Sequence, residues 1–423
     1  MLIRTVLVQS FFVGLSLTLA SACGAQTRPR QPSSRTVYAE KFPGGDLGAK
    51  IDAADRSLGA AKGEIVARGG GTISTQVVIS GNHTLRLMPG VYAPAVDNIP
   101  ILLKPGSSLM GQSWDAIILE STAKGQFTVV SAYNNAQRNG AADSDIQISN
   151  VQIKGANAGF NSAPQAISLG NCSACRVDHV WINGTRSIGI QLGGAGFDGN
   201  FARDSQVVDC LFTHVASQNL ALVNGRGIVF SGNRFIGQGQ AGGPGSTAID
   251  LEPNGADDYL ENVIIRDNFI DARDSGLPTA GNGIVIQATS GTPHVGPIVV
   301  EGNTIIGGAT QGVITNKISN GLYSFGPTIR DVTFRNNRVT RTGQSGIHIE
   351  GRHFTVIGNQ FTDVGGGGNP GFYMADVTDS QITDNSFTYS GQGPADGSVT
   401  MAGRNRNNVI RNNRGFGFPA GVR

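Results

Sequence analysis

The chain has 423 residues, and its 32 Lys and Arg side chains nearly balance its 30 Asp and Glu side chains, which leaves a net charge of +2. A charge this small excludes a strong overall attraction to nucleic acid or to an anionic membrane. With 39% hydrophobic residues and 61 glycines, the composition excludes a disordered chain and favours short strands joined by many tight turns.

Residues 1–22 have the pattern of a secretory signal. Arg4 supplies the positive charge, Val6 to Leu19 form the apolar segment, and Ala20-Ser21-Ala22 is a small-residue cleavage site. We therefore expect an exported protein that is secreted, periplasmic or anchored to the outer membrane.

Cys23 follows the cleavage site directly, as the lipidated Cys of a bacterial lipoprotein does. Lipidation of Cys23 and plain cleavage before it are both open, and a lipid at this residue is the one membrane attachment that we consider. Residues 23–36 are predicted to form a flexible tether, and residues 37–423 a single domain.

A short amphipathic helix is predicted at about residues 46–58. Asp46 is suited to the N-cap position, and Gly59 to the C-terminal end. The apolar side chains between them fall on one helical stripe: Leu47, Ile51, Ala54 and Leu58. We expect this helix to cover the first edge of the strand repeats that follow it.

A short apolar pattern with an Asn near its centre recurs through the chain. One copy runs from Val263 to Ile270 and another from Ile298 to Ile305. The copies are centred on Asn233, Asn268, Asn303, Asn337, Asn359, Asn385 and Asn413. At a sharp bend, an Asn amide can bond to the backbone and to the Asn of the next coil, so we assign these residues to structure.

A second pattern alternates with the first and begins with Gly or Ala followed by an apolar residue. Its copies are Ala166–Leu169, Gly189–Leu192, Ala248–Leu251, Gly283–Ile286, Gly312–Thr315, Gly346–Ile349 and Gly371–Met374. Apolar residues alternate within each run, so one face of every strand points inward. Stacking such two-strand units in parallel predicts an all-β fold, a right-handed parallel β-helix with an N-terminal capping helix.

The cysteines carry little functional information. Cys172 and Cys175 have no second Cys pair or nearby His that would complete a zinc site. In an oxidising compartment a disulfide between them is an open alternative. Cys210 is predicted to be a buried, small apolar residue.

The sequence resembles the pectate lyase-like β-helix superfamily. The resemblance rests on Gly45 to Lys50, on Gly69 to Ile73 and on the interleaved Asn and Gly-Ile repeats. It implies a scaffold that binds and cuts polysaccharides, although lyases, hydrolases, epimerases and phage tailspikes share it. The catalytic signatures of the pectate lyases and of the polygalacturonases are absent, so no catalytic residue is transferred from either family.

Two carboxylates stand out on the outward face of one Gly-Ile strand. Asp250 and Glu252 are two residues apart, which places them about 6 to 7 Å from each other along a strand. Such a pair can divide acid and base work in glycoside hydrolysis, and it can also bind Ca²⁺. Asn224, about one coil earlier, is a further candidate calcium ligand, and Ca²⁺ is the only cofactor that we predict.

Long connections surround this strand and are predicted to form the walls of a cleft. They are Ile236 to Thr247, Pro253 to Asn262, Asp271 to Asn282 and Ala288 to Pro297. Tyr259 offers a ring for sugar stacking, and Gln287 is an outward polar side chain of the next coil.

A second candidate cluster lies on later coils. Its members are Lys317, His348, Glu350, Arg352 and Tyr373. Lys317 and Arg352 are candidates for binding a substrate carboxylate while His348 or Tyr373 removes a proton from the sugar. The alternative interpretation is a surface ladder of opposite charges with no catalytic role.

These observations favour an exported polysaccharide lyase that acts on an acidic, uronate-containing glycan. Two alternatives stay open: a glycoside hydrolase on the same scaffold, and a non-catalytic β-helix that binds glycan or displays a surface. We expect a polysaccharide partner and no nucleic acid.

Overall fold

The described residues form a parallel β-helix with a capping helix near its N-terminal end, as the sequence predicts. The computed structural model describes residues 35–96, 99–120, 128–155, 165–194, 201–237, 247–274, 281–288, 294–310 and 317–418. The predicted signal segment and Cys23 lie outside these residues. No helix within them is long and apolar enough to cross a membrane.

Strands in the described residues form four parallel sheets, which the chain visits in the same order in successive coils. Sheet 1 has 14 strands: Arg35–Tyr38, Gly63–Ala67, His83–Leu87, Ser108–Gly111, Gln147–Ser149, Arg176–Asp178, Gln206–Val208, Val229–Ser231, Val263–Arg266, Ile298–Glu301, Val332–Arg335, Thr355–Ile357, Gln381–Thr383 and Val409–Arg411. Sheet 2 has 12 strands: Gly71–Ile73, Gly90–Pro94, Ala116–Leu119, Gln152–Lys154, Trp181–Asn183, Leu211–Thr213, Arg234–Ile236, Phe269–Asp271, Thr304–Ile306, Arg338–Thr340, Gln360–Thr362 and Ser386–Thr388.

Sheet 3 contains the Gly-Ile repeat. Its 12 described strands are Val77–Ile79, Ile101–Leu103, Val130–Ala132, Ile167–Leu169, Ile190–Leu192, Leu220–Leu222, Thr247–Leu251, Gly281–Gln287, Ile318–Phe325, Ile347–Arg352, Phe372–Thr378 and Val399–Ala402. Sheet 4 is short, with six strands: Asp143–Ser144, Cys172–Ser173, Ala202–Arg203, Gly225–Arg226, Tyr259–Glu261 and His294–Val295. Three helices complete the described structure: the 3₁₀ turn Ala39–Lys41, α1 (Leu47–Leu58) and α2 (Tyr133–Gln137).

The repeated Asn residues form a ladder at the corner between sheets 1 and 2. The side-chain nitrogen of Asn268 donates to the side-chain oxygen of Asn303 at 2.9 Å and to the carbonyl oxygen of Phe230 at 3.0 Å. Asn303 bonds in the same way to Asn337 and to Ile265. Each Asn satisfies backbone groups that the tight corner would leave unpaired, which confirms the structural role predicted for them.

The core is a column of inward side chains from all four sheets. On sheet 3, the stacked residues Ile249, Ile284, Leu322, Ile347 and Phe372 are all fully buried. Because each coil places its apolar residues on those of the next coil, burial continues along the whole stack.

Helix α1 covers the first edge of this column. The side chain of Asp46 accepts hydrogen bonds from the backbone N–H groups of Gly48 and Ala49, and Gly59 follows the last turn. Ile51, Ala54 and Leu58 are buried against the coils. The predicted capping helix is therefore confirmed, including its N-cap residue.

One repeat assignment was wrong. The strand that pairs with Gly281–Gln287 is Ile318–Phe325, and Tyr323 lies opposite Val285. The sequence pattern had placed this strand at Gly312–Thr315, which lies outside the described residues. The outward side chains of this coil are therefore Tyr323 and Phe325.

The cysteines behave as small structural residues. Cys172 and Cys175 form a disulfide, which settles the open alternative. Cys210 is a buried free thiol, as predicted, and burial raises its pKa to about 12.

Candidate active site

The outer face of sheet 3 carries one row of residues in strict register from coil to coil. Strand pairing places the following residues next to each other in this order: Leu102, Ser131, Ser168, Gln191, Ala221, Asp250, Val285, Tyr323, His348, Tyr373 and Thr400. We call it the sheet 3 row. At about 4.8 Å per coil, it brings the predicted residues Asp250, His348 and Tyr373 onto one face of the molecule.

The edges of sheet 3 are where the coils differ in length. From Asn150 onward, the corner between sheets 1 and 2 keeps two residues in each coil, such as Asp267 and Asn268. By contrast, residues 272–280 separate a sheet 2 strand from the next sheet 3 strand. A rigid scaffold with variable connections around one face is the usual arrangement of a binding cleft.

Asp250 is a buried acid at the middle of the row, with only 5% of its surface exposed. Its two carboxyl oxygens accept hydrogen bonds from the side-chain amides of Gln218, at 3.4 Å, and Gln287, at 3.2 Å. Desolvation and the nearby charge of Glu252 raise the pKa of Asp250 to about 7. This carboxyl can therefore hold a proton near neutral pH and release it to a substrate.

Glu252 is the second carboxyl of the pair. It follows the same strand, where its N–H donates to the carbonyl oxygen of Leu222, and it is half-buried. Desolvation raises the pKa of Glu252, and a hydrogen bond from Gln287 opposes this effect. Gln287 thus contacts both acids, and the predicted polar residue of the next coil holds the pair together.

Asn224 is engaged in the turn beyond the acids. Its side-chain nitrogen donates to Asp258 at 3.0 Å, and its oxygen accepts the backbone N–H of Tyr259 at 3.2 Å. In the described part of the chain, no three His, Cys, Asp or Glu side chains are grouped to hold a metal. Protein contacts thus hold the Asn224 amide in the turn, and Ca²⁺ binding by Asn224, Asp250 and Glu252 stays a prediction.

Further along the row, aromatic rings stack from coil to coil. The His348 ring lies between Tyr323, at 4.7 Å between centroids, and Tyr373, at 4.4 Å. Phe325 stacks on Tyr323 at 4.9 Å. We call these four residues the aromatic strip; its three row members, Tyr323, His348 and Tyr373, are half-buried.

The strip keeps its histidine neutral. Burial lowers the pKa of His348 to about 4, so its imidazole carries no charge near neutral pH. Burial and the charge of Glu350 raise the pKa of Tyr323. Glu350 is two residues beyond His348 on the same strand, opposite Ala375.

Lys317 and Arg352 lie at opposite ends of their strands. The Lys317 ammonium, just before the sheet 3 strand, donates to the carbonyl oxygen of Arg273 at 2.7 Å. Arg352 follows a register shift after Glu350. Its backbone forms an isolated β-bridge with Arg330, at the C-terminal end of its strand. The structure therefore separates these two cations, which the sequence analysis had grouped around His348.

Tyr259 belongs to sheet 4, beyond the turn that follows Glu252. Its ring lies 4.3 Å from that of Phe201, and the Arg203 guanidinium lies 4.7 Å from the Phe201 ring. Because the Phe201 ring packs against Tyr259, we assign Tyr259 to an aromatic wall beside the proposed cleft.

Helix α2 covers the row at its N-terminal end. The Asn135 side chain donates to the hydroxyls of Ser131, at 3.3 Å, and Ser168, at 3.1 Å. Leu102 and Ser131 point outward, yet each is only 1% exposed. Helix α2 therefore covers the row at Ser131 and Ser168.

Gln218, Tyr323 and Phe325 of this site were missed by sequence reasoning. Gln218 lies before its sheet 3 strand, where no repeat position marked it. Tyr323 was missed because Gly312–Thr315 matched the Gly-Ile pattern better than Gly321-Leu-Tyr-Ser324 did. A tyrosine followed two residues later by a phenylalanine was the available signal, since both then point to one face.

Comparison with solved structures identifies several proteins of similar architecture. The A-module of a mannuronan C-5 epimerase from Azotobacter vinelandii is 14% identical, with a TM-score of 0.51 over 89% of this chain and 96% of that chain. A family 28 exopolygalacturonase from Yersinia enterocolitica is 13% identical, with a TM-score of 0.57 over 92% and 79%. DFA-IIIase from Arthrobacter chlorophenolicus A6, in complex with GF2, is 13% identical, with a TM-score of 0.55 over 89% and 94%.

At these identities the similarity shows the fold alone. A search of curated protein sequences finds no significant match. The model of the family described as "Right handed beta helix region" matches residues 134–326 and 320–421, which together exceed half of the chain. With its parallel sheets, Asn ladder and capping helix, the chain belongs to the right-handed β-helix family.

Proposed function

We propose that the protein is an enzyme that cleaves glycosidic bonds in a polysaccharide, with Asp250 as the general acid. The observation that carries this proposal is the buried Asp250 carboxyl, whose pKa is raised to about 7 beside a second acid on an outward face. A carboxyl that keeps its proton near neutral pH can protonate the leaving oxygen of a glycosidic bond.

Glu252 supplies the complementary role. Its charge is one cause of the raised pKa of Asp250, so we assign the ionised role in the pair to Glu252. An ionised carboxylate beside the acid can activate a water molecule or stabilise positive charge at the sugar carbon. Gln287, which bonds to both acids, fixes their relative orientation.

Proteins of similar architecture give this proposal its substrate class. They include a mannuronan epimerase, an exopolygalacturonase and a DFA-IIIase with a bound GF2 molecule. Two of these names refer to polymers of uronic acids, in agreement with the acidic glycan expected from the sequence. We therefore propose a uronate-containing polysaccharide as the first substrate to examine. We also propose that the protein is exported.

A lyase is the second candidate, and the aromatic strip favours it. His348 is neutral and Tyr323 and Tyr373 flank it, so these groups could remove a proton from a sugar ring. We rank this candidate lower because β-elimination also needs the substrate carboxylate neutralised, and Lys317 and Arg352 lie at opposite edges of the sheet.

The test is turnover on a panel of polygalacturonate, alginate and neutral glycans, with and without Ca²⁺. New reducing ends without unsaturated product indicate hydrolysis, whereas absorbance from an unsaturated sugar indicates a lyase. Asp250→Asn should lower kcat by at least about a hundredfold, the usual contribution of a general acid. Asp267→Asn is the matched control, since Asp267 is an exposed acid at the sheet 1–2 corner of the next coil.

Equal activity of Asp250→Asn and wild type would refute the role of Asp250. Binding without turnover across the panel would instead support the non-catalytic alternative, a β-helix that only binds glycan.

A further inference from the structure

We propose that the cleft is closed at one end and that the enzyme therefore removes short units from one end of its glycan. In this arrangement the aromatic strip binds the rest of the chain. The inference rests on the proposed function. It adds the mode of cleavage and the direction in which the glycan lies along the sheet 3 row.

The closed end is built by α2. Asn135 is hydrogen-bonded to both Ser131 and Ser168, two adjacent members of the sheet 3 row. The backbone N–H groups of Asn134 and Asn135 donate to the carboxyl group of Asp143, which anchors the helix to the first strand of sheet 4. A sugar chain that follows the row cannot pass this helix without displacing it.

Asp250 lies near this closed end. By strand spacing, Ser168 is three coils away, or about 14 Å, and the intervening row members are Gln191 and Ala221. The space between the acid and α2 therefore accommodates only a few sugar units.

The opposite direction is lined by rings. From Asp250 the row continues through Val285 to Tyr323, His348 and Tyr373, the last of which is about 19 Å away. Pyranose rings have apolar faces that pack on aromatic side chains, and the coil spacing presents these rings at regular intervals. His348 fills the space between the two tyrosine rings without adding a charge.

A chain end is thus the part of the substrate that reaches the acid. Cleavage beside Asp250 leaves a short unit between the acid and α2, while the longer piece stays on the aromatic strip. Because the short side has a fixed length, we expect products of uniform size.

The experiment follows product size with polygalacturonate and with oligogalacturonides of graded length, from the disaccharide to the octasaccharide. One series of oligogalacturonides carries a label at the reducing end, and a second series is blocked at the non-reducing end. We expect uniform short products from the start of the reaction, slow loss of viscosity, and cleavage abolished by only one of the two end modifications. Rapid loss of viscosity with mixed product lengths would overturn the closed-end mode while leaving the proposed function intact.

The strip is tested by binding, which does not depend on turnover. With Asp250→Asn, affinity for the oligogalacturonides should increase with length, and Tyr373→Ala should reduce the affinity for long members roughly threefold to tenfold. Tyr373→Phe should retain it, because the ring remains. Trp114→Ala is the control, an aromatic truncation at an exposed side chain away from the sheet 3 row.

Equal losses for short and long oligosaccharides, or equal effects of Tyr373→Ala and Trp114→Ala, would overturn the assignment of the strip. The absence of binding by every oligosaccharide would also overturn it. Length-dependent binding together with a wild-type protein that shows no turnover would instead refute the proposed function and keep the strip as a glycan-binding surface.

Discussion

At the scale of single residues, Asp250 combines a functional property with a cost in stability. Its carboxyl is buried, contacts Gln218 and Gln287, and has no cation among its described hydrogen-bond partners. Burial favours the protonated form, which suits a general acid but opposes ionisation in the folded state. Activity and stability should therefore respond to this residue in opposite directions.

The pH dependence of unfolding tests this opposition. The pKa of Asp250 is raised to about 7, whereas the unfolded side chain keeps a pKa near 3.8. Its contribution to stability is therefore fully present below the unfolded pKa and is lost as the pH rises through the folded pKa. Asp250→Asn removes this loss, so the variant should be more stable than wild type at about pH 8, by up to about 4 kcal/mol.

Urea unfolding of both proteins at about pH 4 and about pH 8 provides the measurement. Similar stabilities at the lower pH with a gap at the higher pH support the raised pKa. A constant difference at both values would contradict it.

At the scale of elements, a buried contact between His83 and Asp55 joins α1 to the first coils. The Nδ1 atom of His83 lies 2.7 Å from a carboxyl oxygen of Asp55, and Nε2 lies 3.0 Å from the carbonyl oxygen of Ala61. The His83 ring thus joins the Asp55 carboxyl of α1 to the Ala61 carbonyl group beyond the end of the helix. Ser80 donates to the same carboxylate, which completes the contact between helix and coil.

Removing one member of this pair should release the capping helix. His83→Leu leaves the buried Asp55 carboxyl without its imidazole partner, and we expect a loss of about 3 to 5 kcal/mol. The double variant His83→Leu, Asp55→Leu should recover part of that loss. The control is His353→Leu, which breaks the exposed His353–Asp331 pair and should change stability by about 1 kcal/mol or less.

Denaturant unfolding, combined with hydrogen exchange of α1, distinguishes these outcomes. If His83→Leu and His353→Leu lose the same stability, the buried pair does not hold the helix.

The Asn ladder allows a graded test of position along the stack. Asn303→Ala removes the acceptor for the backbone N–H and side-chain amide of Asn268, and the donor to Ile265. We expect a loss of roughly 3 kcal/mol or more. Asn413→Ala, at the last described rung, should cost less because that residue is only half-buried and water can replace the lost bonds.

Thermal melts of the two variants give the comparison. Equal losses for Asn303→Ala and Asn413→Ala would contradict the expectation that burial of a rung sets its contribution to stability.

At the scale of the whole molecule, the fold was readable from the sequence because each coil repeats the same physical requirement. A buried corner needs an Asn, and an inward strand position needs an apolar residue, so both recur. The capping helix was also predicted correctly, from Asp46, its apolar stripe and Gly59. One strand was misplaced because a connection happened to contain a Gly-Val-Ile-Thr match.

The site was only partly readable. Asp250, Glu252, His348 and Tyr373 were identified because alternation fixes which strand positions point outward. Lys317 and Arg352 were wrongly grouped because the sequence repeat does not show two features of the strands. The strand that follows Lys317 starts only at Ile318, and the register shifts after Glu350. Contacts across coils, such as those of Gln218 and Asn135, depend on connections that carry no period.

The two-residue corner between sheets 1 and 2 has a consequence for how this molecule tolerates change in length. One residue inserted beside Asn303 would exchange the inward and outward faces of the neighbouring strand and break the ladder on both sides. The same insertion between residues 272 and 280 would alter only a connection beside sheet 3. Growth and diversification of the chain are thus confined to the margins of its proposed active face, where new segments can change what is recognised without disturbing the stack.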